Sequence, residues 1–200
     1  MATVRFGALD SRHRGRLAEV LAATAVFSRD EIAIALELFD ETFGDGSRNA
    51  EDTAALAPPA ALRPLPAYEF LGAFDDQTLV GYACYGPTPG ADGIFDLYWI
   101  AVHPGAQGAG AGSGLLDEVE RRLRERGGRL VIVETSSRAA YQGTRRFYDA
   151  RGYREAARVA DFYAPADDRV IYAKRLLARA APAAQLDHPS TDSRGARHHE

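Results

Sequence analysis

A glycine-rich segment between two apolar runs constrains the fold more than any other part of this 200-residue chain. Segment 102–114 contains five glycines, follows the apolar run 94–102 and precedes run 115–126, which has apolar residues at helical spacing. This order predicts a strand, a tight turn and a helix. Because such a turn presents backbone N–H groups at the positive end of the helix dipole, it predicts a phosphate or pyrophosphate site.

Hydrophobic periodicity and turn residues predict the other elements. Ser28 and Glu31 form a capping box, which predicts that a helix begins there and continues to Phe43. The remaining helices are predicted at 17–27, 115–126 and 139–151, and strands at 3–6, 67–74, 79–85, 94–102, 129–135, 154–163 and 169–174. On helix 115–126, acids four residues before arginines, such as Glu120 before Arg124, predict an exposed charged face.

The order of these elements predicts an α/β (α+β) fold. The central strand–turn–helix–strand unit implies one parallel pair, and the hairpins around it imply antiparallel pairs. We therefore expect a mixed, mostly antiparallel sheet with helices on both faces. Residues 1–177 are expected to form a single domain in which 44–66 is a long loop, and 178–200 to be a disordered tail.

Composition limits the kinds of molecule that the protein is expected to bind and the cellular compartment in which it is expected. A net charge of −4 argues against nucleic acid or a membrane surface as the main partner. Residues 12–27 loosely resemble a signal peptide, but Glu19 interrupts the apolar stretch, which has helical periodicity. With the lone Cys84, this favours a cytoplasmic protein. We interpret His198 and His199 as part of the tail, and expect no metal.

Two general phosphate-binding patterns fit the glycine segment poorly. The dinucleotide pattern Gly-x-Gly-x-x-Gly is missed by one residue because Ser113 stands last, although Glu134 lies where a ribose-binding acid would fall. It also requires further βα units, where this chain has hairpin-like sequence. A nucleotide P-loop requires Gly-Lys-Ser/Thr at its end, and segment 107–114 contains no lysine.

Three motifs follow one another along the chain. Segment 107–112, Gln-Gly-Ala-Gly-Ala-Gly, is preceded by Ile-Ala-Val-His-Pro, Glu134 follows late on the next strand, and 146–153 reads Arg-Phe-Tyr-Asp-Ala-Arg-Gly-Tyr. The first motif is similar to motif A of the GNAT superfamily of N-acetyltransferases, and the last resembles the Phe-Tyr signature of that family's last helix. The resemblance covers about residues 3–176 and implies a splayed central parallel pair of strands.

The resemblance implies an acetyl-CoA site and no metal. The pantetheine arm would lie along the open strand edge and the pyrophosphate on the glycine turn. The residues expected to bind acetyl-CoA are Ile100, Ala101, Val102, Gln107, Gly108, Ala109, Gly110, Ala111, Gly112, Ser113 and Tyr141. Two features depart from the family: neither 108 nor 109 is basic, and Tyr141 replaces the usual Asn. Arg145 and Arg146 are candidates for the nucleotide end.

The resemblance also implies acetyl transfer to a primary amine by direct attack. Tyr148 matches the family's tyrosine acid, which protonates the leaving thiolate. Asp96 and Glu134 both match positions used for the base, and this choice stays open; Asp96 is the shorter and would act through water. Strand alternation places Asp96 on one face with Tyr98, Ile100 and Val102.

Other readings of the same residues also stay open. Cys84 as an acetyl carrier is the less favoured route, since a single cysteine in a strand is more often a core residue. The alternative function is a non-catalytic acyl-CoA-binding sensor. A small-molecule amine or a protein amine is the expected acceptor, and a homodimer is compatible with the sequence.

Overall fold

The computed structural model describes residues 4–44 and 68–176, so the predicted loop over 44–66, apart from its first residue, and the tail over 178–200 lie outside the described residues. The strands are β1 (Arg5–Ala8), β2 (Glu69–Asp75), β3 (Thr78–Pro87), β4 (Ile94–Val102), β5 (Leu130–Ser136), β6 (Arg154–Ala164) and β7 (Asp167–Arg175). The helices are α1 (Arg14–Ala23), α2 (Arg29–Phe43), α3 (Ala111–Glu125) and α4 (Gln142–Ala150). None of these four helices is long and apolar enough to cross a membrane.

The strands form one seven-stranded sheet in the order β1-β2-β3-β4-β5-β7-β6. Every neighbouring pair is antiparallel except β4 and β5, which are parallel and joined through α3. This confirms the predicted mixed sheet with one parallel pair. The hairpins predicted around 75–77 and 165–168 both form, joining β2 to β3 and β6 to β7.

Several predicted boundaries were wrong by a few residues. The first strand begins at Arg5 rather than Thr3, and α1 ends at Ala23 rather than Phe27. The helix α3 begins at Ala111, also four residues away from its predicted bound. The last part of the glycine segment is therefore the first turn of the helix and not part of the loop.

Two apolar clusters cover the two faces of the sheet. One packs α3 and Tyr148 of α4 against β3, β4, β5 and β7, with Leu115, Leu116 and Leu123 fully buried. The other packs α1 and α2 against β2 and β3. As a result, α3 and α4 lie on one side of the sheet and α1 and α2 on the other.

A buried ion cluster fastens α3 to the far half of the sheet. Glu120 of α3 is only 2% exposed, and both its carboxylate oxygens accept from Lys174 Nζ of β7 at 2.8 Å. Arg124 Nη2 and the Tyr153 hydroxyl also donate to this carboxylate, at 2.8 and 3.2 Å. The expectation that Glu120 belongs to an exposed face was wrong, because α3 turns this residue towards β7.

This cluster predicts a stability difference between buried and exposed ion pairs. Lys174→Met should lower the free energy of unfolding by about 3 kcal/mol, because the Glu120 charge stays buried with one cation fewer. Urea denaturation measures the loss. Arg121→Met, which breaks exposed pairs with Glu118 and Glu125, should cost less than about 1 kcal/mol.

A second variant separates the buried charge from lost packing. Glu120→Met combined with Lys174→Met should recover most of the stability, since no unpaired charge remains inside. Equal losses for Lys174→Met and Arg121→Met would contradict this account.

Candidate active site

The parallel pairing of β4 and β5 lasts for only four residue pairs. It runs from Ile94 beside Leu130 to Leu97 beside Val133. Beyond that point β4 pairs only with β3, and β5 pairs only with β7. A cavity of about 700 Å³ opens where the strands part, lined by both strands, the starts of α2 and α4, and the β6–β7 hairpin.

A β-bulge in β4 lies where the two strands part. Cys84 of β3 faces Trp99 while Tyr85 faces Leu97, so Tyr98 is an extra residue without an opposite partner. A bulge bends its strand and increases the local twist, which favours separation from the neighbouring strand.

The bulge also reverses the alternation of side chains along β4. Ile100 and Val102 pack with Leu97 on the α3 side, whereas Asp96 lies on the opposite face, that of Trp99. The expectation that Asp96 shares a face with Ile100 and Val102 was therefore wrong.

The open edge of β4 presents two backbone N–H groups. His103 N donates to Val80 O across the β3 ladder at 2.8 Å. Since bonded and non-bonded pairs alternate in an antiparallel ladder, Ile100 and Val102 direct their N–H groups to the open edge, and Ala101 directs its own to β3. Gln107 Nε2 donates to Val102 O at 3.0 Å. The Gln107 side chain thus fastens the glycine turn to the end of β4.

The glycine turn brings free N–H groups to the end of this open edge. Gly108 and Gly110 have φ values of +77° and +87°, a region in which side chains are strained. Gly110 caps α3, and the first intrahelical bond runs from Gly114 N to Gly110 O at 2.8 Å. The N–H groups of residues 111–113 precede this bond and point out of the helix.

Of the two later glycines of the segment, Gly114 serves close packing and Gly112 does not. A Cβ on Gly114 would lie 2.2 Å from Phe6 Cζ, so β1 can approach α3 only because this residue has no side chain. A Cβ on Gly112 would meet nothing closer than 3.6 Å, the distance to Val102 Cγ2.

Two arginines on α4 differ in their availability to an anion. Arg145 Nη1 donates to Ser136 O at 2.6 Å and to Arg138 O at 3.0 Å, so it holds the β5–α4 connection. Arg146 is exposed on the same helix.

A buried threonine hydroxyl in the cavity wall has no partner among the described residues. Thr135 Oγ1, on the part of β5 that has left β4, lines the cavity and has no hydrogen-bond partner among the described residues. Its donor and acceptor capacity is available to a bound molecule.

The two candidate bases both line the cavity, but their surroundings differ. Asp96 Oδ2 accepts from Thr88 Oγ1 at 2.7 Å, and Asp96 has no ion-pair partner among the described residues. Burial raises the pKa of Asp96 and the nearby Glu134 charge raises it further, while the Thr88 hydrogen bond and the Arg169 charge oppose the shift. Glu134, by contrast, forms an ion pair with Arg169.

Tyr148 reaches the cavity from α4. It is 3% exposed, it packs against Phe147, Tyr153 and Tyr172, and burial raises the pKa of its phenol. Its hydroxyl has no hydrogen-bond partner in the described part of the chain. The phenol therefore stays protonated at neutral pH and is free to donate a proton or a hydrogen bond.

Tyr141 joins α2 to the cavity wall. Its hydroxyl donates to Glu31 Oε1 at 2.8 Å, while Glu31 Oε2 accepts from Ser28 N in the predicted capping box. Burial alone would raise the pKa of Glu31, but these hydrogen bonds outweigh it and hold that pKa below its usual value.

Sequence reasoning missed several cavity residues, of which the main ones are Glu31, Arg138, Tyr163, Asp167 and Arg169. Most of them lie on the β6–β7 hairpin or on connections, where no motif marks them. The hairpin signal at 165–168 was present, but nothing in it showed that the hairpin reaches the gap beside β5.

Comparison with known proteins gives the class of the protein. Residues 33–153 match the model of the Acetyltransferase (GNAT) family, and the splayed sheet with its glycine turn agrees with it. The chain belongs to the GNAT acetyltransferase family and is by class an N-acetyltransferase. The mixed sheet does not agree with the dinucleotide-binding alternative, which requires a mostly parallel sheet.

Solved structures of family members have the same fold. An acetyltransferase of the GNAT family from Desulfovibrio desulfuricans is 35% identical, with a TM-score of 0.74, covering 88% of this chain and 100% of that one. The Escherichia coli ribosomal-protein-S18-alanine N-acetyltransferase is 17% identical, with a TM-score of 0.61, covering 91% and 99%. The PaiA N-acetyltransferase from Thermoplasma acidophilum, solved with coenzyme A, is 18% identical, with a TM-score of 0.58, covering 86% and 99%. No curated protein sequence matches this chain.

The close approach at Gly114 predicts a stability effect that depends on Phe6. Gly114→Ala should lower the free energy of unfolding by about 1–3 kcal/mol, because the new methyl group meets the Phe6 ring. In a Phe6→Leu background the same change should cost less, and a double-mutant cycle by urea denaturation measures the coupling.

Gly15→Ala is the matched control for this cycle. Gly15 lies in helix α1 with nothing within 4 Å of its added Cβ, so the change should be neutral or stabilising by up to about 1 kcal/mol. Additive effects of Gly114→Ala and Phe6→Leu would show that the two residues are not in tight contact.

Proposed function

We propose that the protein transfers the acetyl group of acetyl-CoA to a primary amine by direct attack, with Asp96 as base and Tyr148 as acid. The observation that carries this proposal is the parting of β4 from β5. It brings a carboxylate, an unpartnered phenol and an open strand edge to one cavity of about 700 Å³.

The free backbone groups support binding of acetyl-CoA, which supplies the acetyl group as a thioester. The Val102 N–H is in position to pair with an amide of an extended chain, as an added strand would. The N–H groups of residues 111–113 suit a pyrophosphate at the helix N-terminus. Because neither Gly108 nor Ala109 is basic, these amides carry most of the phosphate binding.

Asp96 is the better base because Glu134 is already paired. The Arg169 guanidinium forms an ion pair with Glu134 and occupies part of its carboxylate. Asp96 has only a neutral hydroxyl partner, and its raised pKa makes it a stronger proton acceptor than an ordinary carboxylate. Its short side chain takes the proton of the amine through a water molecule.

Tyr148 is suited to donate a proton to the leaving sulfur. A thiolate is basic enough to accept from a phenol, and the phenol keeps its proton until then because it is buried. The Ile100 N–H, at the open edge, is placed to polarise the thioester carbonyl.

The surroundings of Cys84 favour direct attack over a route through a cysteine. Cys84 is fully buried in the sheet, and burial raises the pKa of its thiol. A nucleophilic cysteine requires an accessible thiolate.

The choice of base predicts two different outcomes. Asp96→Asn should lower kcat by about 10²–10⁴-fold. Glu134→Gln should leave substantial activity and move the acidic limb of the pH–rate profile to lower pH, because the Glu134 charge raises the pKa of Asp96. Wild type and variants are measured with the same acceptor, so the titration of the amine cancels. If Glu134→Gln abolished transfer and Asp96→Asn did not, the assignment would be reversed.

The acid role predicts a kinetic effect of one hydroxyl group. Tyr148→Phe should lower kcat by about 10²-fold while acetyl-CoA still raises the melting temperature as it does for wild type. Tyr172→Phe is the matched control, since Tyr172 packs 6.0 Å from the Tyr148 ring and does not line the cavity. Normal turnover by Tyr148→Phe would rule out this acid.

A further inference from the structure

Three of the five exposed large hydrophobic side chains of the described residues line the cavity or pack against a residue that lines it. Large hydrophobic residues with exposed side chains are Ile34, Tyr98, Val159, Phe162 and Tyr163. Tyr98 and Tyr163 line the cavity. Phe162 packs edge-on against Tyr163 with ring centroids 4.9 Å apart, and the Arg169 guanidinium lies 4.8 Å from the Phe162 ring. Exposed apolar surface gathered at one place marks a binding surface.

The interior wall of the same cavity is also aromatic. Phe27 packs edge-on against Trp99 with centroids 5.3 Å apart, and against Tyr141 at 6.5 Å. All three side chains line the cavity. Aromatic walls favour an apolar body, and their faces also attract a cation.

The charges of the cavity favour an ammonium group and disfavour a carboxylate. Four acidic residues and two arginines line it, which leaves a net charge of −2. Both arginines already have carboxylate partners: Arg138 pairs with Asp167, and Arg169 pairs with Glu134. Asp96 and Glu31 form no ion pair among the described residues. A carboxylate on the acceptor would have to share one of these two guanidinium groups with the acid already paired to it.

We propose that the acceptor is a primary amine with an aromatic or extended apolar body and no carboxylate, whose body rests on Phe162 and Tyr163. This inference rests on the proposed acetyl transfer and adds the chemical class of the acceptor. The ammonium group is attracted to Asp96 and Glu31, the two acids without an ion pair among the described residues, and the body covers the aromatic rings at the mouth.

Matched pairs of amines test the class of acceptor. Release of the CoA thiol is followed with phenethylamine against phenylalanine, tryptamine against tryptophan, and phenethylamine against ethylamine and spermidine. Each carboxylate should lower kcat/KM by about 100-fold or more, because it meets an acidic cavity. Removing the ring should lower it by at least about tenfold.

Variants at the mouth test the two proposed contacts. Phe162→Ala and Tyr163→Ala should each raise the KM for phenethylamine by about tenfold and leave the KM for acetyl-CoA unchanged. Phe162→Leu, which keeps an apolar side chain, should give a KM for phenethylamine between those of wild type and Phe162→Ala. Val159→Ala is the matched control on the same strand, because Val159 is exposed and lies outside the Phe162–Tyr163 aromatic pair.

The outcomes separate this inference from the proposed function. Higher kcat/KM with phenylalanine, spermidine or a lysine-containing peptide than with phenethylamine overturns the inference and leaves acetyl transfer standing. Unchanged kinetics in both alanine variants also overturns it. If no amine in the panel yields CoA while acetyl-CoA still raises the melting temperature, the proposed function fails and the inference fails with it.

Discussion

The short parallel pairing between β4 and β5 is the constraint on which the rest of the site depends. After four residue pairs the strands part, and the backbone groups along their facing edges need other partners. On β4, the Gln107 side chain donates a hydrogen bond to the Val102 carbonyl. The N–H groups that remain are the feature that makes the gap a binding site for an extended amide chain.

Ion pairs inside the cavity then decide which of its acidic residues remain available for catalysis. Arg169 pairs with Glu134 and Arg138 pairs with Asp167, so both arginines and two of the four acids that line the cavity are in ion pairs. Asp96 is left as a partly buried carboxylate with a neutral partner. The same ion pairs that favour Asp96 as base also partly neutralise Arg138 and Arg169, the two cations that would otherwise attract an acidic acceptor.

Local signals predicted the elements well and their surroundings poorly. The bounds of β4 and the Ser28 capping box agree with the sequence, because both depend on residues next to one another. The bulge at Tyr98 and the burial of Glu120 were missed, because each depends on a partner far along the chain. An acid at helical spacing from an arginine looks the same whether a distant lysine covers it or water does.

The sequence by itself determined the mixed sheet and the glycine turn. It also determined the order of Asp96, Glu134 and Tyr148 along the chain, which is the order found in the family. Only the tertiary structure decided which acid is paired, since Arg169 lies 35 residues from Glu134 and reaches it across the β5–β7 ladder. It also decided which groups line the cavity. Strand pairing brings distant residues together, and the free energy of that pairing is set by the whole sheet rather than by any local pattern.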